Sequence, residues 1–190
     1  MQRNYRKIIF AIISLLLVSL LQLTRTYIAS PPAVKSAAVY LHSDYQVTKV
    51  DDGDTIIIDM NGAAEKVRFI GVDTPETKDP RKVVQCYGKL ASEFTKNKIN
   101  NQRVRLEADE LNTNRDRYNR LLRYVYLPDG TLLNAEIIRQ GYGFAYTSFP
   151  FTQKEEFKQL EDFARTNNIG LWGSCQPNKN KYGGYTSKDE

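Results

Sequence analysis

The 190-residue sequence predicts a mainly β domain with helices, of the α+β class, behind an N-terminal hydrophobic segment. Three observations predict it. Short strand-like runs separated by tight-turn signals occupy residues 45–72 and 103–127. Helical spacing appears between these runs and again after them. An apolar run, IIFAIISLLLVSLL at residues 8–21, follows Arg3, Arg6 and Lys7 and sets the first thirty residues apart.

Residues 45–50 place Tyr45 and Val47 on one face and polar residues on the other, and Asp52-Gly53 signals a hairpin turn. Residues 55–59 are a second strand, Asn61-Gly62 a second hairpin signal, and residues 67–72 a third strand. Three strands joined by tight turns make a meander. From residue 85 to residue 100, Tyr87, Leu90, Ala91 and Phe94 recur at helical spacing. Val104, Leu106 and Ala108 then alternate with Arg103, Arg105 and Glu107, as in a half-buried strand. Residues 121–127 form a fifth strand, ended by Pro128-Asp129-Gly130. Asn134 reads as the N-cap of a short helix closed by Gly141. A longer helix over 153–168 turns Phe157, Leu160, Phe163 and Ala164 inward and stops at Gly170, and Leu171 and Trp172 pack back on the core. A five-stranded meander with a helix inserted after its third strand matches an OB-type barrel. The domain spans 44–175, after a linker at 31–43. The polar tail at 176–190 is expected to be disordered.

The N-terminal run is short for a membrane span and suits a signal-peptide core. Ala29 and Ser30 offer small residues for cleavage, but Tyr27 is awkward upstream, so a cleaved signal peptide and an uncleaved anchor both stand. Either predicts an exported body, extracellular or periplasmic, and the anchor would make the membrane a partner. The formal charge is +5, yet residues 1–30 hold four basic residues and no acid, leaving 23 basic against 22 acidic residues elsewhere. That balance excludes binding through a strong global field, so any anion site is a local cluster. Monomer is the default state. Cys86 and Cys175 suggest a disulfide in an exported chain, with two separate buried thiols as the alternative. Their spacing does not resemble a zinc site.

Charged residues converge on one rim. Asp54 starts the second strand and Asp73 ends the third, so antiparallel pairing makes them neighbours. Two adjacent carboxylates repel and call for a compensating charge. A hard divalent cation such as calcium suits them, with the Thr74 carbonyl as a further oxygen ligand. Pro75 holds Thr74 extended. Glu76 can orient or deprotonate a metal-bound water. Arg68 reaches the same rim, and Arg115, Arg117, Tyr118 and Arg120 lie in the loop entering strand five. Two guanidinium groups facing a cation form a phosphate clamp. Taken singly, Asp52-Gly53-Asp54 reads as a plain turn and Arg68 as a solvated strand residue.

Together, VDDGDT, VRFIGVDTPE, CYGKLASEF, DRYNRLLRYVY and LLNAEIIRQGYG closely resemble the staphylococcal nuclease (thermonuclease) family over residues 45–172. The resemblance implies a five-stranded OB-fold barrel with three helices. It also implies a calcium-dependent endonuclease that hydrolyses DNA and RNA, prefers single-stranded regions and leaves 3′-phosphate ends. Carried over by motif, Asp54, Asp73 and Thr74 correspond to calcium ligands, and Arg68, Glu76 and Arg120 to catalytic residues. Arg117 and Tyr118 correspond to residues that hold a terminal phosphate. Tyr146, in GFAYTSF, resembles a base-stacking aromatic, beside which a core-tyrosine reading stands. Asn119 replaces a glycine common in the family, and asparagine tolerates the left-handed backbone required there. The competing reading is a non-catalytic nucleic-acid- or protein-binding module on the same barrel.

Overall fold

The computed structural model describes residues 44–77, 83–99, 101–181 and 184–189. The expected signal peptide or anchor and the linker lie outside the described residues. Among the described residues, no helix is long and apolar enough to cross a membrane.

Strands β1 (Asp44–Asp52), β2 (Thr55–Met60), β3 (Ala63–Phe69), β5 (Arg103–Glu107) and β6 (Leu121–Tyr126) close into a barrel in the order β1-β2-β3-β6-β5. All neighbours are antiparallel except β3 and β6, which run parallel with Val67 opposite Leu121. Alternation along β2 sends Ile56 and Ile58 into the interior, where they meet Val67, Phe69, Val104, Val125 and Phe157.

The expected third strand is divided. β3 stops at Phe69, Gly71 adopts φ +71°, and β4 (Val72–Asp73) leaves the barrel to pair with β7 (Phe144–Ala145). A Cβ at Gly71 would lie 2.7 Å from the Phe151 ring, so only glycine permits this bend.

Helix α1 (Gly88–Ile99) begins three residues later than expected, after Tyr87 at φ +72°. Its inward face is Ala91, Thr95 and Ile99, while Leu90, expected inward, is 48% exposed. Helix α2 (Leu133–Arg139) is preceded by Leu132 at the cap position, with no capping side chain. Asn134, expected there, is fully buried inside the helix. Its Oδ1 accepts the Val125 N–H at 2.9 Å, and its Nδ2 donates to the carbonyls of Ile70 (2.9 Å) and Arg123 (3.2 Å). It satisfies backbone groups between β6 and the end of β3 rather than helix termini. In α3 (Lys154–Thr166), Phe157 and Ala164 are buried but Phe163 is 50% exposed.

The short helix α4 (Leu171–Ser174) buries Leu171 and Trp172 in a second cluster with Phe144, Ala164 and Cys175. Cys86 and Cys175 are joined by a disulfide, with Cα atoms 5.8 Å apart. The tail departs from the disorder expected of it. β8 (Asn178–Lys179) pairs with β9 (Tyr185–Thr186), and the Tyr185 ring packs edge-on against Trp172 at 4.8 Å. One aromatic residue supplies the apolar anchor that the polar composition of the segment conceals.

Candidate active site

The turn joining β1 to β2 builds the acidic side of the rim. A Cβ at Gly53 would lie 2.9 Å from the Thr74 side chain, so glycine lets this turn close on the segment after β4. Asp54 is consequently buried. Its Oδ1 accepts the Thr55 hydroxyl at 2.9 Å, and its Oδ2 accepts the Thr74 N–H at 2.9 Å and the Thr74 hydroxyl at 3.1 Å.

Arg68 stands opposite Thr55 across the β2–β3 pair. Its NH1 donates to the carbonyls of Val72 (2.6 Å) and Phe69 (3.2 Å), which fixes the guanidinium plane. Its NH2 lies 3.2 Å from Asp54 Oδ2 and 3.2 Å from Asp73 Oδ1. One nitrogen thus bridges the two carboxylates, and Asp54, Arg68, Asp73 and Thr74 form a single cluster. The metal-ligating atoms that the cluster's side chains offer are oxygens, from two acids and the Thr74 hydroxyl. Among the described residues no group of three or more His, Cys, Asp or Glu side chains is arranged to hold a metal.

Glu76 follows on the same turn. Its N–H donates to Gln85 Oε1 at 2.9 Å, and its Oε1 accepts the Thr77 N–H at 3.0 Å. Asp52 accepts the Gly53 N–H at 2.9 Å and the Thr77 hydroxyl at 3.0 Å. Burial, then the negative charge of Asp54 and a smaller effect of Glu76, push the Asp52 carboxyl up to about 6. The rim thus concentrates more acid than the expected Asp54, Asp73 and Glu76, with Asp52 as the unforeseen member. Its Asp-Gly signal had an adequate explanation as a turn.

Asp116 organises the basic side. Its Oδ1 accepts the N–H groups of Tyr118 (2.9 Å) and Arg120 (3.0 Å), and its Oδ2 accepts Arg120 Nε at 2.7 Å. Burial raises the Asp116 carboxyl, but these bonds and the Arg120 charge outweigh it and hold the group below its ordinary range. Asn119 takes φ +64°, the left-handed conformation expected of it. Arg120 precedes Leu121 at the head of β6, alongside β3, and an open groove runs between Ala64–Lys66 and residues 118–120. Arg117 donates to the Tyr118 hydroxyl at 2.8 Å, and the Tyr118 ring is 64% exposed. Arg115 is held by Glu65 at 2.8 Å and serves the loop rather than the rim. Asp116 was discernible as the one acid set between arginines in NRDRYNR.

Tyr146 is 40% exposed and meets Phe149 edge-on at 5.7 Å, so it is a surface residue, not a core one. Its N–H bonds Gly71 O at 2.8 Å, which places it beyond Val72 on the β4–β7 pair.

A family model described as Staphylococcal nuclease homologue matches residues 66–174. The Thermonuclease of Staphylococcus intermedius is 43% identical over 143 residues, covering 74% of this chain and 83% of the relative. The Thermonuclease of Staphylococcus hyicus is 41% identical over 131 residues, covering 68% and 76%. The SPbeta prophage-derived endonuclease YokF of Bacillus subtilis (strain 168) is 37% identical over 131 residues, covering 68% of this chain and 44% of the relative. Barrel, rim and relatives together define a hydrolytic nuclease. The chain belongs to the staphylococcal nuclease family.

Proposed function

We propose that this protein is an exported, calcium-dependent endonuclease that hydrolyses phosphodiester bonds in DNA and RNA and leaves 3′-phosphate ends. The observation that carries this reading is the bridge of Arg68 between Asp54 and Asp73, which pairs two oxygen-donating acids with a phosphate-binding fork.

The donor set fits calcium. Asp54, Asp73 and the Thr74 carbonyl are hard oxygen ligands, and the two acids already converge on one positive group. When bound, calcium supplies positive charge to a phosphate oxygen and lowers the pKa of a bound water. The chain's own residues do the rest. Arg68 is anchored through NH1 on two carbonyls, so its fork stays oriented when the acids turn to another cation. Glu76 orients the attacking water and assists loss of its proton. The water oxygen bonds to phosphorus, the bond to the 5′ oxygen breaks, and a proton restores the 5′ hydroxyl. Arg68 and Arg120 neutralise the charge that builds on the phosphorus oxygens, with ~2.7–4 kcal/mol of barrier per donor lost. Arg117 and the hydroxyl of the exposed Tyr118 hold a terminal phosphate. Tyr146 stacks on an unpaired base, which favours single-stranded regions. The protein acts as a monomer, secreted or held by its N-terminal segment.

The test incubates the protein with end-labelled single-stranded DNA in calcium and in excess chelator. Cleavage that needs calcium, leaves 3′-phosphate ends and is slowed strongly but measurably in Glu76→Gln is expected. Intact DNA in both conditions, from protein that binds calcium, would refute the reading.

A further inference from the structure

The C-terminal segment reaches the backbone of Glu76 through one intermediary. Beyond Tyr185, residues 187–189 run beside residues 85–86. The buried Ser187 donates its hydroxyl to Cys86 O at 2.8 Å, Cys86 N donates to Lys188 O at 2.8 Å, and Gln85 forms a bridge with Asp189. The Gln85 amide spans both partners. Its Nε2 donates to Ser187 O at 3.3 Å, and its Oε1 accepts the Glu76 N–H at 2.9 Å. The Gln85 N–H returns to Glu76 O at 3.0 Å.

The joint has little slack. Tyr87 takes φ +72°, a conformation a bulky side chain keeps only where its surroundings impose it. A Cβ at Gly88 would lie 3.0 Å from Glu76 O and 3.1 Å from Pro75 O, so the start of α1 seats against the segment carrying Glu76. The Cys86–Cys175 disulfide ties the same joint to the end of α4.

We infer that residues 184–189 and Gln85 position Glu76 for catalysis, Gln85 acting as a positioning residue and the tail as its clamp. The inference rests on the catalytic reading of Glu76 given above. Without the tail, Cys86 loses its bonds to Ser187 and Lys188, and the Gln85 amide that holds the Glu76 N–H loses its bond to Ser187 O and is braced less firmly.

The experiment compares the full chain with a version ending at Lys181, with Gln85→Ala and with Ser187→Ala, each also combined with Glu76→Gln. kcat and KM are measured on single-stranded DNA in calcium, and amide exchange is followed at Glu76. Loss of the tail, or Gln85→Ala, is expected to lower kcat about 10-fold with KM nearly unchanged. It should also speed exchange at Glu76. In the Glu76→Gln background the same changes should cause no further loss of kcat. An unchanged kcat, or an equal loss in that background, would overturn the inference. Should the shortened chain fail to fold, Ser187→Ala removes a single hydrogen bond and carries the same readouts, with about a 2–3-fold loss expected. If Glu76→Gln alone retains full activity, the catalytic reading of Glu76 fails instead. The exchange rate then still decides whether the tail holds that residue.

Discussion

Asp116 grips Arg120 at three points, the backbone N–H at 3.0 Å, Nε at 2.7 Å and NH2 at 2.6 Å. The same carboxylate therefore shapes the turn and aims the guanidinium. Asp116→Ala should leave the barrel folded and lower kcat about 10-fold, because Arg120 remains but is no longer held. Arg120→Ala should cost more, about 10²–10³-fold. Steady-state kinetics on DNA, with far-UV circular dichroism as the folding control, reads both.

Asn134 predicts a stability effect far from the rim. Its amide satisfies the buried Val125 N–H and Ile70 carbonyl, and adds a second donor to the part-buried Arg123 carbonyl, which also accepts the Ile70 N–H. Asn134→Ala strands the Val125 N–H and the Ile70 carbonyl and should destabilise the protein by about 3 kcal/mol. Urea unfolding would show a lower midpoint at an unchanged slope.

Asp109 should tie stability to acid pH. Burial pushes its carboxyl up, but bonds from Thr152 (2.6 Å from the hydroxyl, 2.7 Å from N–H), the Tyr124 hydroxyl (2.6 Å) and the Leu111 N–H (2.8 Å) outweigh burial and hold it below its ordinary range. A carboxylate depressed in the folded state stabilises above its unfolded pKa of about 3.9, and that contribution is lost as pH falls through the folded value. Asp109→Asn should therefore be less stable than the parent at pH 7 by roughly 1–3 kcal/mol, and the gap should narrow below about pH 4. Thermal unfolding across pH 3–7 measures it.

The disulfide closes a loop with a sequence separation of 89. Replacing Cys86 and Cys175 together by serine should cost about 2–4 kcal/mol of stability, chiefly through the freer unfolded chain. Denaturant unfolding of the parent with and without reductant should reproduce the difference.

Legibility in the sequence followed the range of the interactions. Ile56 and Ile58 alternate within one strand, and the Asp-Gly turn lies beside them, so the first hairpin could be read directly. Asp54 and Asp73 were expected together at one rim, and Arg68 does bridge them, but Asp73 arrives on β4 past the Gly71 bend rather than by pairing of consecutive strands. Leu90 and Phe163 were misplaced because helical spacing marks candidate inward positions without showing how far the apolar face extends. Asn134 has the residue type of a cap, but its partners arrive from other strands. Nothing local marks the Gln85–Ser187 contact, whose partners are 102 positions apart. Tyr185 shows the same limit, since one ring in a polar tail anchors a segment whose composition reads as disordered.

The parallel pairing of β3 with β6 also bears on assembly. Arg68 lies on one side of that seam and Arg120 precedes the other. On the proposed reading, the two guanidinium groups come to adjoining strands only when residues more than fifty positions apart have met, so closing the barrel and completing the phosphate clamp are one event.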